Sequence, residues 1–253
     1  MKLSTKINKL SSDGYVIFYD AIPKELIKNF NSEILKITNS LNKKSSSSKK
    51  EKFDKLFVKH SRHRIYKLMQ NLNSVRKITH FLEKFLDKAG IFNSLKFRVR
   101  SLTNGLIISI PREEKNLNPA HQDIYSYNAS TFVKLWVPMT KVDKFNGSMK
   151  IYKKSHKLGF VEPKYVNNQS TYPEINKTKL RIFTEKIFDF KPGSFVLFNP
   201  LVVHESVKNK SKKTRFTIGI DIQNVSLIEN EALLKKMDQI KKERSRRRKI
   251  FNK

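Results

Sequence analysis

The rhythm of apolar residues changes near Leu95, and that change commits the chain to a helical layer laid against an antiparallel β core. Before it, apolar side chains recur every three or four residues, the period of a helix with one buried face. Leu26, Ile27, Phe30, Ile34, Ile37 and Leu41 form one such stripe, running from Pro23, which suits a first helical position, to Asn42. Val75, Ile78, Phe81, Leu82, Phe85 and Leu86 form another, with Gly90 placed to cap it. Ahead of both, Asp13-Gly14 reads as a turn into a short strand ending at Tyr19. After Leu95 the β-prone runs are short: Phe97 to Ser101, Gly105 to Ile110, Phe132 to Val137, Ser148 to Tyr152, Ser194 to Asn199 and Arg215 to Ile222. Asn146-Gly147 and Pro192-Gly193 are turn dipeptides set directly before strands, which favours antiparallel connections and a double-sheet barrel over βαβ crossovers. The stretch from Gly159 to Thr184 has no clear period, and an excursion of that length out of a barrel reads as a functional lid.

A chain of 253 residues suits one domain. We divide it into a mainly helical flank (1–94), a barrel core (95–224) and a basic C-terminal helix or tail (225–253), in which Leu227, Leu234, Met237 and Ile240 share a face ahead of the run Lys241 to Lys249. Cysteine is absent, so the fold has no disulfides and any metal must be held by His, Asp or Glu. The N-terminus lacks a signal-peptide core and no stretch approaches the ~18 apolar residues of a membrane span, so the expectation is a cytoplasmic protein. Lys and Arg number 53 against 22 Asp and Glu, a net charge of +31. Such a field attracts nucleic acid, an anionic membrane or an acidic substrate. Because lysine is spread along the whole chain, compositional drift explains much of it. Polyanion binding through the basic tail is the less favoured use. The polar run Lys43 to Lys50 reads as a surface loop.

The chemistry gathers at three places. In His121-Gln122-Asp123 the imidazole and the carboxylate are two residues apart, so an extended segment projects both to one side while Gln122 points away. His204, beyond the strand that ends at Asn199 and the turn at Pro200, is the candidate third ligand. Two histidines and one carboxylate leave three positions on iron(II) open for a chelating co-substrate and oxygen. Eleven residues after His204, Arg215 opens an alternating strand. Phe216, Ile218, Ile220 and Ile222 fall on one of its faces and Arg215, Thr217 and Gly219 on the other. A guanidinium fork with a hydroxyl two residues on can hold the far carboxylate of 2-oxoglutarate.

With these residues in place the sequence resembles the phytanoyl-CoA dioxygenase-like branch of the iron(II)/2-oxoglutarate oxygenases over nearly its whole length. The motifs that carry the resemblance are Asp13-Gly14-Tyr15 with the helix after it, His121-Gln122-Asp123, Trp136-Val137-Pro138, Asn146-Gly147-Ser148-Met149, Ser155-His156-Lys157-Leu158-Gly159 and Lys191-Pro192-Gly193-Ser194, followed by His204, Ser206, Asn209 and Arg215. The resemblance implies a double-stranded β-helix (a cupin-like jelly roll) with flanking helices. It implies iron ligation by His121, Asp123 and His204, Arg215 as co-substrate anchor, and Trp136 and Thr217 as pocket neighbours. It further implies that 2-oxoglutarate and O2 are consumed to give succinate and carbon dioxide, with hydroxylation of an unactivated C–H bond as the default outcome. Desaturation and epimerisation are the alternatives. Retention of Asp123 argues against halogenation, which needs that ligand position vacated. Lys153-Lys154 stands where the family has Pro-Gly, and His156 reads as structural, as do His60, His63 and His80. Arg98 and Arg100 either face the cavity or point outward. The charge tilts the expected small-molecule substrate towards a phosphorylated, CoA-linked or nucleotide-linked one, with Lys153, Lys154 or the excursion supplying contacts. The competing reading is an inactive jelly-roll protein that binds nucleic acid or another polyanion.

Overall fold

The computed structural model describes residues 2–43, 62–69, 72–112, 117–126, 132–166, 172–225 and 230–251. The surface-loop expectation for Lys43 to Lys50 falls almost wholly outside these residues, as do Leu227 and His60. Two antiparallel sheets form a jelly roll. The larger has the strand order β1-β6-β3-β8-β2 and the smaller β5-β4-β7. Its strands are β1 (Tyr15–Phe18), β2 (Arg100–Ser109), β3 (Phe132–Pro138), β4 (Met149–Tyr152), β5 (Glu185–Ile187), β6 (Phe195–Phe198), β7 (His204–Ser206) and β8 (Arg215–Asn224).

The helices α1 (Leu3–Asp13), α2 (Lys24–Lys43), α3 (Arg62–Met69), α4 (Asn73–Lys88) and α5 (Ile91–Ser94) precede β2, apart from the strand β1 between α1 and α2. The stripes read from the sequence are the faces that pack: Phe30, Ile34, Ile78, Leu82 and Leu86 join Val133, Leu135, Ile218, Ile220 and Ile222 in one buried cluster. This covers the outer face of the large sheet. Its inner face meets the small sheet through Tyr15, Trp136, Met149, Ile151, Phe188, Val196 and Phe198.

Three features differ from the sequence reading. The runs Phe97 to Ser101 and Gly105 to Ile110 are not two strands. They lie largely within β2, which pairs residue for residue with β8 from Arg100↔Asn224 to Ser109↔Arg215, and that ladder holds Thr103-Asn104-Gly105 extended. Helix α1 was not anticipated, because it buries little besides Leu10 and Asp13. It ends at Gly14 in the left-handed region (φ 87°), whose N–H reaches the Leu10 carbonyl. A β-carbon at Gly14 would lie 2.5 Å from His156 Nδ1 and 2.4 Å from Val202, so a side chain is excluded both by conformation and by contact. His156 itself bonds the Ser11 carbonyl at 2.8 Å through Nε2, the structural role read from the sequence.

Third, the basic run is not a loose tail. Helix α6 (Glu231–Phe251) buries Met237 against Ala120, Tyr125, Ile175 and Leu180, and so docks on the excursion. Its guanidiniums stack on two tyrosines of that excursion, Arg244 at 3.9 Å from the Tyr172 ring and Arg247 at 4.0 Å from that of Tyr165. No described helix is long and apolar enough to cross a membrane.

Candidate active site

His121 pairs with His204 at the β7 edge of the small sheet. Each donates to the other's carbonyl at 3.0 Å in an isolated antiparallel bridge, so the backbone that links the two segments also sets the imidazoles side by side, ring centroids 4.3 Å apart. Asp123 is not on a continuous strand with His121, as the spacing had suggested. It opens a 3-10 turn, Asp123–Ser126, which bends its carboxylate back towards the rings. One carboxylate oxygen lies 3.4 Å from His121 Nε2 and the other 3.4 Å from His204 Nε2. One ligand atom from each of the three residues falls within 4.8 Å of the others, and all three residues are buried.

The imidazoles are oriented to coordinate. His121 Nδ1 contacts the Pro119 carbonyl at 2.7 Å and His204 Nδ1 the Val202 carbonyl at 3.1 Å, contacts that place the protons on Nδ1 and turn both Nε2 lone pairs inward. Burial pushes the His204 imidazole down to about 4, against the opposing pull of Asp123, so it is neutral at physiological pH. Burial also opposes ionisation of Asp123, but neighbouring groups, the Lys134 ammonium first among them, outweigh it and hold the carboxyl well below the usual carboxylate range. Two imidazole nitrogens and a carboxylate form a donor set suited to a divalent transition metal.

The pocket around these groups, about 170 Å³, is lined by Asp123, Lys134, Trp136, Tyr172, Phe198 and Arg215, among others. A larger cavity of about 640 Å³ between α1 and the β1 edge is lined by lysines and aromatics and offers no metal-ligating side chain. Arg215 is buried, its Nη1 donates to the Thr217 hydroxyl at 2.6 Å, and its guanidinium lies 5.9 Å from the Trp136 ring. The structure therefore gathers all six residues singled out in the sequence. Gln122 points away, as expected, and ties the excursion to the ligand loop. Its amide donates to the carbonyls of Gly159 and Leu201 at 2.8 and 2.7 Å and accepts from Val161 N–H at 3.0 Å.

Some sequence candidates lie elsewhere. Arg100 pairs with Glu83 and Asp87 and stacks over Phe92 on the helical side, and Arg98 is exposed. Lys153 and Lys154 line a separate cavity with Phe183 and Thr184, Lys153 pairing with Asp13 at 3.2 Å. Three participants were missed. Tyr172, from the unpatterned excursion, sits edge-on to His121 at 4.9 Å, and Arg244 covers its other side. Lys134 projects inward from β3, 3.1 Å from Asp123 and 3.1 Å from Asp221. Burial, and then the Asp123 charge, push the Asp221 carboxyl up to about 9, although the Lys134 ammonium lies 3.1 Å from it. In the sequence, the shared parity of Phe132, Lys134 and Trp136 was the one available signal for Lys134.

A jelly roll with a buried two-histidine, one-carboxylate group beside a pocket floored by an arginine defines a class, the non-haem iron oxygenases. Within it the chain belongs to the phytanoyl-CoA dioxygenase (PhyH) family, whose model matches residues 10–217. The family depends on iron and 2-oxoglutarate. Among solved structures, the apo non-heme monooxygenase ThoJ is similar at 16% identity and a TM-score of 0.58, covering 95% of this chain and 96% of its own. The non-heme alpha-ketoglutarate-dependent carbocyclase SnoK from nogalamycin biosynthesis is 14% identical (TM-score 0.57), covering 88% and 86%. The epimerase SnoN, in complex with Fe3+, alpha-ketoglutarate and nogalamycin RO, is 13% identical (TM-score 0.53), covering 88% and 83%. No curated protein sequence matches the chain significantly.

Proposed function

We propose that His121, Asp123 and His204 hold iron(II), that Arg215 and Thr217 hold the far carboxylate of 2-oxoglutarate, and that the chain hydroxylates an unactivated C–H bond of a small anionic metabolite. The observation that carries this reading is the convergence of the three ligands in one buried pocket that Arg215, bonded to Thr217, also lines. Iron(II) with 2-oxoglutarate and oxygen supplies the oxidising power for such a bond. The side chains bind, orient and shield. The Arg215 fork pairs with a carboxylate, and its donation to Thr217 leaves the hydroxyl proton free to point at the same anion. Trp136 walls the co-substrate side, and Tyr172 roofs His121 where the substrate must approach. Gln122 holds that roof to the ligand loop. Arg244 braces Tyr172 from behind.

The test is conversion of 2-oxoglutarate to succinate by the purified chain with iron(II), ascorbate and a metabolite pool, with His121→Ala as control. Turnover that requires both iron and His121 supports the reading. No turnover with any pool, together with polyanion binding unchanged in His121→Ala, replaces it with the inactive binding protein. Product analysis separates hydroxylation from the epimerisation and ring closure named for SnoN and SnoK. Substrate turnover insensitive to ionic strength counts against an anionic substrate.

A further inference from the structure

A lysine inside a barrel is costly to desolvate and persists where opposite charge compensates it. Lys134 is such a residue. It shares the inner face of β3 with Trp136, lies directly opposite Asp221 in the β3–β8 register, and its side chain is only 15% exposed. Its ammonium stands 3.1 Å from Asp123 Oδ2, the oxygen that also faces His204 Nε2, and 3.1 Å from Asp221. It is therefore the counter-ion of the very carboxylate that is to ligate the metal.

We propose that Lys134 is a positioning residue that sets the charge balance of the pocket, weakening binding of the metal cation and strengthening binding of the dianionic co-substrate, so that the two load together. This rests on the iron and 2-oxoglutarate reading above. A divalent cation arriving at Asp123 comes within a few ångströms of the Lys134 ammonium, in a pocket that already contains the Arg215 guanidinium. Like charges at that range in a poorly screened site repel strongly. A ligand with two carboxylates removes the excess positive charge, and by linkage whatever favours the co-substrate once metal is bound favours the metal once co-substrate is bound. Asp221 holds the ammonium from the far side, keeping it at the metal ligand rather than swinging towards the co-substrate.

The test is calorimetric and oxygen-free: Mn(II) is titrated into the full chain, and 2-oxoglutarate into the Mn(II)-loaded chain, for wild type, Lys134→Met and Lys134→Arg. Removing one unit charge at this range makes Lys134→Met bind Mn(II) about threefold or more tighter and 2-oxoglutarate about tenfold or more weaker, while Lys134→Arg stays within about twofold of wild type in both. A lysine that only props up the fold would weaken both in Lys134→Met. Unless the two constants move in opposite senses, the inference is overturned. Lys134→Gln carries the same test if Lys134→Met does not fold. A wild-type chain that binds neither Mn(II) nor 2-oxoglutarate sinks the iron reading itself, whereas a wild type that binds both beside a Lys134→Met that loses both overturns the role of Lys134 alone.

Discussion

Strands β3 and β8 present two faces of opposite character. Outward, Val133, Leu135 and Val137 lie beside Phe216, Ile218, Ile220 and Ile222 and join the cluster formed with the helices. Inward, the same strands present Lys134, Trp136, Arg215, Thr217 and Asp221 to the metal ligands. The outer face is held by burial, which has no direction and scales with area. The inner face is held by ion pairs and hydrogen bonds, whose value depends on ångström placement. One layer of backbone thus carries stability on one side and chemistry on the other. The strand period of two keeps the functions apart, because a substitution changes one face without moving its neighbour.

The separation can be broken or sharpened by experiment. The largest effect belongs to the inner face: His121→Ala lowers iron-dependent succinate formation by about a thousandfold or more while leaving the thermal midpoint near that of the wild-type chain. A collapse of the midpoint would show that the site is part of the fold's support. On the outer face, Ile220→Ala removes a fully buried side chain and lowers the unfolding free energy by about 3 kcal/mol in urea titrations. Its Mn(II) affinity stays at the wild-type level, and a tenfold loss would show the faces to be coupled.

Acid probes the inner face next. His204 is buried neutral with its imidazole at about 4 rather than 6.5. Between those values the unfolded chain takes up a proton that the folded chain does not. The His204 contribution to the stability of the metal-free protein is therefore full above about pH 6.5 and falls by up to about 3 kcal/mol as pH drops to about 4. Asp123, held below the usual carboxylate range, keeps its contribution through that window and loses it only in stronger acid. His204→Asn flattens the dependence in thermal melts, and Ile220→Ala leaves its slope intact. The smallest of the four effects is that of Arg215→Met, which raises the 2-oxoglutarate concentration for half-saturation about a hundredfold with Mn(II) affinity little changed. Equal loss of both would mean that Arg215 braces the metal ligands rather than the co-substrate.

Much of this was legible in the residues. The helical stripes of α2 and α4, the alternation in β8 and the joint order of His121, Asp123, His204 and Arg215 all come from short-range periodicity and spacing, which a sequence displays directly. Strands β5 and β7, three residues each, are too short to show a period, and they form because the ladders with β4 complete their hydrogen bonding. Turn-prone Thr103-Asn104-Gly105 stays extended for a similar reason, its long pairing with β8. Tyr172 and Arg244 lie far apart in an unpatterned excursion and a basic helix, and nothing local marks them as partners over the metal site.

By itself, then, the sequence marked out the candidate machinery, because a metal-ligating triad requires particular side chain types at characteristic spacing. Tertiary structure alone decided how closely the inward face of β3 approaches the ligands. That put Lys134 at 3.1 Å from Asp123 instead of in solvent, and it made a basic C-terminal run the brace of the active-site roof. The physical reason is range. Periodicity encodes what a residue does to its neighbours along the chain, whereas the energy of a buried charge depends on groups brought beside it by folding.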